Sequence, residues 1–166
     1  MGEFEDEYSE SLESEFRKLD GALLGDTVKL LDPGLVGATG LIVYHYTLPQ
    51  TEANDYLTEQ YNAQFGGNPD LFSECGFATA QAVVAALEAT GGDTSSEALI
   101  EAMEGLTFEG PKGTYTIRPE DHQALAAMYI VELASVDDPE ERYFTLVEEV
   151  SGEDSAPPCS APNRCQ

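Results

Sequence analysis

The side chains in this 166-residue chain best suited to covalent or acid–base chemistry are three cysteines, Cys75, Cys159 and Cys165, and two histidines, His45 and His122. A cysteine beside a histidine is a nucleophile with its base, because the thiolate attacks and imidazole takes the proton. Cys75 lies in a long alanine-rich apolar run, where a cysteine acts as a small hydrophobe, and no spacing ties it to either histidine. His45 falls inside a β-branched and aromatic run, which favours satisfied burial. His122 ends the polar turn Arg118-Pro119-Glu120-Asp121-His122, a structural setting. The five residues match no zinc spacing. The chain also lacks a nucleophile elbow, a phosphate-cradling glycine loop and the acidic loop of a calcium site. The sequence therefore predicts no enzyme, no metal and no cofactor, and a small acidic thiol enzyme using Cys75 is the weakest of its readings.

The charge is the next constraint. Asp and Glu number 32 against 7 Lys and Arg, a formal net charge of −25. Such a chain repels itself at low ionic strength and gains from screening. A solvated acidic surface on a protein that works in high salt, as in a halophile, accounts for it better than a surface dedicated to a basic partner or to calcium. Nucleic-acid binding is excluded, because it requires lysine and arginine to neutralise phosphates. Hydrophobic residues make up 42% of the chain, enough for one domain with a sizeable core. No apolar run approaches the length that spans a bilayer. The acidic start, Met1-Gly-Glu-Phe-Glu-Asp-Glu7, has no apolar segment and is not a signal peptide.

The elements follow from periodicity and punctuation. Residues 1–15 carry seven acids and no base, and Leu12, Phe16, Leu19 and Leu23 recur at helical spacing, so 1–24 reads as an acidic segment with a short helix over about 10–24. A helical stretch over 27–31 ends at Asp32-Pro33-Gly34. Gly40 to Thr47 reads as a buried strand. A helix follows from Thr51, with Ala53, Tyr56, Leu57, Tyr61 and Phe65 on one stripe, and stops at Gly66-Gly67. Residues 72–90 form an all-round apolar core helix. Thr94-Ser-Ser-Glu97 is a capping box that opens another, with Leu99, Ile100 and Met103 buried. Strands then flank the turn Gly110-Pro111-Lys112-Gly113, with Tyr115 and Ile117 on one face, and two more run from Met128 to Leu133 and from Tyr143 to Val150. Helices on a mixed sheet give an α/β class. Residues 151–166 are a Pro- and Cys-bearing tail.

One ordered run carries more than class. Gly105-Leu106, Phe108, Gly110-Pro111, Gly113, Arg118-Pro119, Asp121-His122-Gln123 and Met128-Tyr129-Ile130-Val131 resemble the C-terminal signature of the type I periplasmic solute-binding proteins, which capture branched-chain amino acids, amides and urea for ABC importers. The resemblance covers about 25–150 and implies part of a two-lobed, doubly wound α/β fold, present incompletely. On it, 27–48 belong to lobe two, 50–125 to lobe one, and 128–150 cross back to lobe two. It implies an extracytoplasmic binder without catalysis, a small solute and an ABC permease as partners, and a missing N-terminal half or partner chain. A dimer through exposed edges is a further expectation. A ligand-sensing regulatory module on the same fold is the alternative, since fold does not fix function.

The resemblance also nominates contacts. Phe72 matches the aromatic that walls the family's pocket at the entry of the long helix, Glu74 lies two residues on, and Tyr44 and Tyr46 flank a crossing. Amino-acid binders place an acid before the strand of lobe two; here Leu35-Val36-Gly37-Ala38-Thr39 has none, which makes an amide or urea-like solute as plausible as an amino acid. Cys159 and Cys165 are disulfide candidates for an extracytoplasmic protein: a small loop, a bridge to the missing half and free thiols all fit their spacing. The acidity itself makes a prediction. The melting temperature should rise steeply with KCl in a thermal unfolding series, and a flat or falling trend would contradict the high-salt reading.

Overall fold

A computed structural model describes residues 28–159 and 165. The helix expected over 10–24 lies outside the described residues. Of the helical stretch expected over 27–31, Val28 is helical and residues 29–31 turn away, with Leu31 N–H donating to the Val28 carbonyl. Asp32 then accepts from Gly34 N–H at 2.8 Å and opens a 3-10 turn, Pro33–Leu35.

Strand β1 is Thr39–Ile42, shorter than the predicted 40–47. The reason lies in the next segment. From Val43 onward the backbone carbonyls are claimed by turns and side chains instead of a ladder: Tyr46 and Pro49 accept from Asn54 Nδ2 at 2.8 and 3.3 Å, and His45 accepts from Leu48 N–H. Asn54 Oδ1 also accepts from the Tyr44 hydroxyl at 2.8 Å. One buried amide therefore shapes the whole 43–50 crossing.

Helix α1 spans Glu52–Phe65 and is capped by Thr51, whose hydroxyl accepts from Asn54 N–H and donates to the Pro111 carbonyl at 2.8 Å. Its buried residues are Asn54 and Leu57, while Tyr56 and Phe65 are exposed, so the predicted stripe is offset. Helix α2 spans Leu71–Ala89, with Asp70 accepting from both the N–H and the hydroxyl of Ser73. It is not enclosed as predicted. Glu74, Ala78 and Ala86 are buried, whereas Val83 and Val84 are exposed, because its described packing partners lie mainly on one side, the segments Thr107–Gly110 and Ser96–Met103. Helix α3, Ser96–Met103, has Ser95 at its N-cap without a side-chain bond. The expected capping box does not form, since Asp93 accepts from Ser95 N–H and starts the helix one residue later. Ile100 of its expected buried face is exposed.

The strands make two three-stranded antiparallel sheets in place of one mixed sheet. In the first, β1 pairs with β5 (Met128–Leu133), which pairs with β6 (Phe144–Val150). Tyr129 and Val131 of β5 pack with Leu48 and Ala127, Leu133 packs with Val28 and Tyr143, and Phe144 touches both groups. A bulge at Ile130/Val131 shifts the register of β6. In the second sheet, β2 (Thr107–Gly110), β3 (Gly113–Ile117) and β4 (Ala124–Leu125) run in order. Gly113 makes the hairpin turn with φ +85°, a region glycine enters without strain. Gly110 must lack a side chain, because a Cβ there would lie 2.7 Å from the Tyr115 ring.

Segment 39–42 thus shares a sheet with 128–150, and 52–125 form a second layer joined to it by two short connections. The chain after β6 folds back. Gly152 sits against the backbone of Leu125 and Ala126, and Arg118, gripped by both carboxylate oxygens of Asp121, donates to the Pro157 carbonyl at 2.9 Å. Asn54→Ala would strip the Tyr44 hydroxyl and two carbonyls of their partners. We expect a loss of roughly 2–4 kcal/mol, seen as a lower urea midpoint at unchanged slope; a loss within error would show that the crossing does not depend on that amide.

Candidate functional site

The first turn of α2 buries a carboxylate. Glu74 is 1% exposed, and its Oε1 accepts a hydrogen bond from the Tyr115 hydroxyl of β3, forty-one residues away in sequence. The Tyr115 oxygen in turn accepts from Lys112 N–H at 3.3 Å, so the hairpin turn, the tyrosine and the carboxylate form one chain of donors and acceptors. The Tyr115 ring stacks on Phe108 with centroids 5.1 Å apart, and Lys112 Nζ stands 5.7 Å from its centroid. Alternation in β3 places Tyr115 inward, and the capped start of α2 places Glu74 opposite it.

The electrostatics follow from that burial. The Tyr115 hydroxyl is pushed far above its ordinary value by desolvation first and by its bond to Glu74 second. Tyr44 is raised mainly by burial and next by the charge of Glu74; Tyr129 is raised by burial, with Glu149 and Glu74 adding. The Cys75 thiol is raised by burial and then by Glu74, whose Oε2 is its hydrogen-bond acceptor at 3.7 Å. A thiol held protonated in this way is a poor nucleophile.

Beside this cluster lies a pocket of about 560 Å³. Helix α2 gives one wall with Ala78, Ala82 and Val83, and the β2–β4 sheet gives another with Phe108 and Leu125. The folded-back stretch from Gly152 to Pro157 supplies a third side. Glu74, Cys75, Lys112 and Tyr115 also line it.

The four contacts nominated from sequence do not share one wall. Glu74 lines the pocket. Phe72, on the same helical turn, is 60% exposed and does not. Tyr44 is buried on Asn54, within the electrostatic reach of Glu74. The Tyr46 hydroxyl donates to the Glu140 carbonyl at 3.1 Å in the other layer. Lys112 and Tyr115 were legible in sequence only as turn and strand residues, and a lysine among seven bases was the one signal that marked the first.

Neither histidine meets Cys75. His45 is buried, with Nδ1 2.8 Å from the Thr47 hydroxyl and its ring among Tyr46, Tyr143 and Phe144. His122, at φ 60°, places Nε2 2.9 Å from a carboxylate oxygen of Glu104. Cys159 and Cys165 are joined by a disulfide with Cα atoms 5.9 Å apart, leaving Cys75 free.

Comparison with known proteins places this architecture. The family profile described as periplasmic binding protein matches residues 14–138. A crystal structure of an ABC-type branched-chain amino acid transporter from Rhodopseudomonas palustris is 34% identical, with a TM-score of 0.65 over 81% of this chain and 36% of that one. The chain belongs to the periplasmic binding protein family. It carries part of the type I fold of that family, whose members are solute-binding proteins and not enzymes. Two further structures share the fold: a leucine-, isoleucine-, valine-, threonine- and alanine-binding protein from Brucella ovis, 20% identical with a TM-score of 0.67 over 86% of this chain and 41% of that one, and a solute-binding protein from Rhodopseudomonas palustris BisB5 in complex with 3,4-dihydroxybenzoic acid, 22% identical with a TM-score of 0.63 over 84% and 36%. This periplasmic binding protein chain spans 36–41% of the length of these relatives. No curated protein sequence matches it.

His45 makes the site's pH prediction. Burial lowers its pKa from 6.5 to about 4, against a smaller opposing pull from Glu141. The folded state therefore refuses a proton that the unfolded chain accepts, and stability falls as pH drops through 6.5 toward 4. Between about pH 7 and pH 4.5 this one group should cost about 2–3 kcal/mol. Urea titrations at the two pH values should show that loss in the native chain and not in His45→Gln; equal slopes in both would reject it.

Proposed function

We propose that this chain is part of an extracytoplasmic solute-binding protein that captures a small polar solute, a branched-chain amino acid, an amide or a urea-like compound, and presents it to the permease of an ABC importer. The observation that carries the reading is the 34% identity to a branched-chain amino acid transporter structure across 81% of this chain. Family membership supports an extracytoplasmic location, and no described helix is long and apolar enough to cross a membrane.

A solute clamp works by burying most of the ligand between two walls and pairing its polar groups. Of the four nominated contacts, Glu74 and the exposed Phe72 at the start of α2 offer part of one wall here, while Tyr44 and Tyr46 stand apart from it on Asn54 and Glu140. Our reading is that the opposing wall comes from another portion of the solute-binding fold, in the same chain or a partner chain. Uncovered apolar residues support this: Leu41 and Val43 at β1, Val83 and Val84 on α2, and Leu146 and Val147 on β6 are all exposed. Apolar surface of this kind also favours self-association through the open edge of β1 when no complement is present.

The test is calorimetric titration of the monomeric 166-residue chain with branched-chain amino acids, short amides and urea. One wall leaves the solute's polar groups in water, and a single aromatic contact of about 1 kcal/mol does not offset the entropy lost on association. No submillimolar affinity is expected until a fragment carrying the missing N-terminal half is added. Submillimolar binding by the chain alone would overturn the two-wall account, and no binding by the complemented pair would overturn the solute-binding reading.

A further inference from the structure

We infer that the segment from Ser151 to Pro157 is a releasable latch: it crosses from the β1–β5–β6 sheet to the layer of residues 52–125, grips that layer at two points and sets the angle between the two. The inference rests on the fold alone and does not depend on the solute-binding reading.

The covalent link between the layers on this side is short. Strand β4 ends at Leu125 and β5 begins at Met128, so Ala126 and Ala127 alone connect them. Met128 pairs with Val150, the last residue of β6, and the chain beyond β6 therefore runs back antiparallel beside that two-residue step. Gly152 makes the first grip. A Cβ there would stand 2.9 Å from Ala126 N, 3.0 Å from the Leu125 carbonyl carbon and 3.1 Å from Ala126 Cα. All three are backbone atoms with no rotamer to move aside, so only glycine lets the two stretches of chain touch. Arg118 makes the second grip. Asp121 holds its Nε and Nη2 at 2.7 and 2.6 Å, which aims the remaining Nη1 at the Pro157 carbonyl 2.9 Å away. Pro158 follows Pro157, and a residue before proline is confined to extended backbone, so that carbonyl is presented in a fixed direction.

Between the grips the segment holds itself together. Ser155 N–H donates to the Ser151 carbonyl at 3.0 Å, Asp154 N–H donates to the Ser151 hydroxyl at 3.1 Å, and that hydroxyl donates to Asp154 Oδ2 at 2.7 Å. None of these bonds reaches another element, and no residue from 151 to 157 is buried. Ser155, Ala156 and Pro157 border the cavity of about 560 Å³ instead of resting on a packed wall. The bond from Arg118 to Pro157 is itself exposed. A stretch with internal bonds, a space beneath it and contacts at its two ends opens as one piece far more readily than the sheets it joins. Once released, it leaves the angle to Ala126-Ala127 and the 43–50 crossing, two short connections that can bend as a hinge. While it is held, one angle is kept.

Distances between nitroxide labels test this in the 166-residue chain. In a Cys75→Ser background, labels at Glu88→Cys on α2 and Glu148→Cys on β6 report across the layers, and labels at Glu88→Cys and Thr114→Cys on β3 report within one of them. All three positions are exposed, and the Cys159–Cys165 disulfide, left oxidised, takes no label. Pulsed electron–electron double resonance should give a narrow distribution for both pairs in the parent. Gly152→Leu and Arg118→Ala should each broaden the cross-layer distribution roughly twofold and leave the within-layer one unchanged. A cross-layer distribution already broad in the parent, or one whose width is unchanged in either variant, overturns the two-point latch. If Gly152→Leu broadens both pairs, Arg118→Ala, which adds no bulk, decides: equal broadening of both pairs there makes the segment part of the layer's own fold and overturns the inference.

Discussion

The bond from the Tyr115 hydroxyl to the Glu74 carboxylate is the contact on which the 52–125 layer depends. It joins the first turn of α2 to the second strand of the hairpin, two elements with no neighbouring residues in sequence. A carboxylate this deeply buried is tolerated only because a donor meets it. The geometry demands further concessions. Gly110 must be glycine so that the Tyr115 ring can lie against it, and Lys112 must turn its backbone N–H onto the phenol oxygen. The Gly-Pro-Lys-Gly turn is therefore more than a reversal of chain direction: it completes the polar chain that lets α2 begin with an acid inside.

A second polar pin does the same for the crossing between layers. Asn54 is buried and commits its amide to Tyr44, Tyr46 and Pro49. Thr51 caps the same helix and reaches the Pro111 carbonyl beside the first pin. The two pins are thus one continuous arrangement, running from segment 43–50 through the start of α1 to the hairpin turn. Any movement of the crossing would be felt at Glu74 through Thr51 and the Pro111 carbonyl.

Charge is distributed accordingly. Among the described residues most carboxylates stay in solvent, where water and salt screen them. The buried one, Glu74, is met by the Tyr115 hydroxyl. The apolar surface shows the opposite pattern: Val83, Val84, Leu41 and Leu146 remain open among the described residues, which fits a chain spanning 36–41% of its solved relatives.

Turn chemistry and periodicity by themselves determined most of the elements. Glycine and proline punctuation bracketed α1, α2 and the hairpin, and the Gly-Pro-x-Gly run with Arg118, Asp121 and Met128–Val131 pointed to the family, because these signals depend on local backbone geometry that neighbouring residues dictate. What periodicity missed was burial. It gave β1 extra residues, since it has no means of knowing that Asn54 withdraws the backbone of 44–49 from the ladder. It enclosed α2 on all sides, since apolar composition shows what a helix offers and not what covers it. The site was divided in the same way. Glu74 was legible as an acid at a helix start, but its partner Tyr115 and the lysine beside it came only from tertiary structure, because a hydrogen bond between residues forty-one apart is fixed by how two elements pack and leaves no periodic trace in the chain.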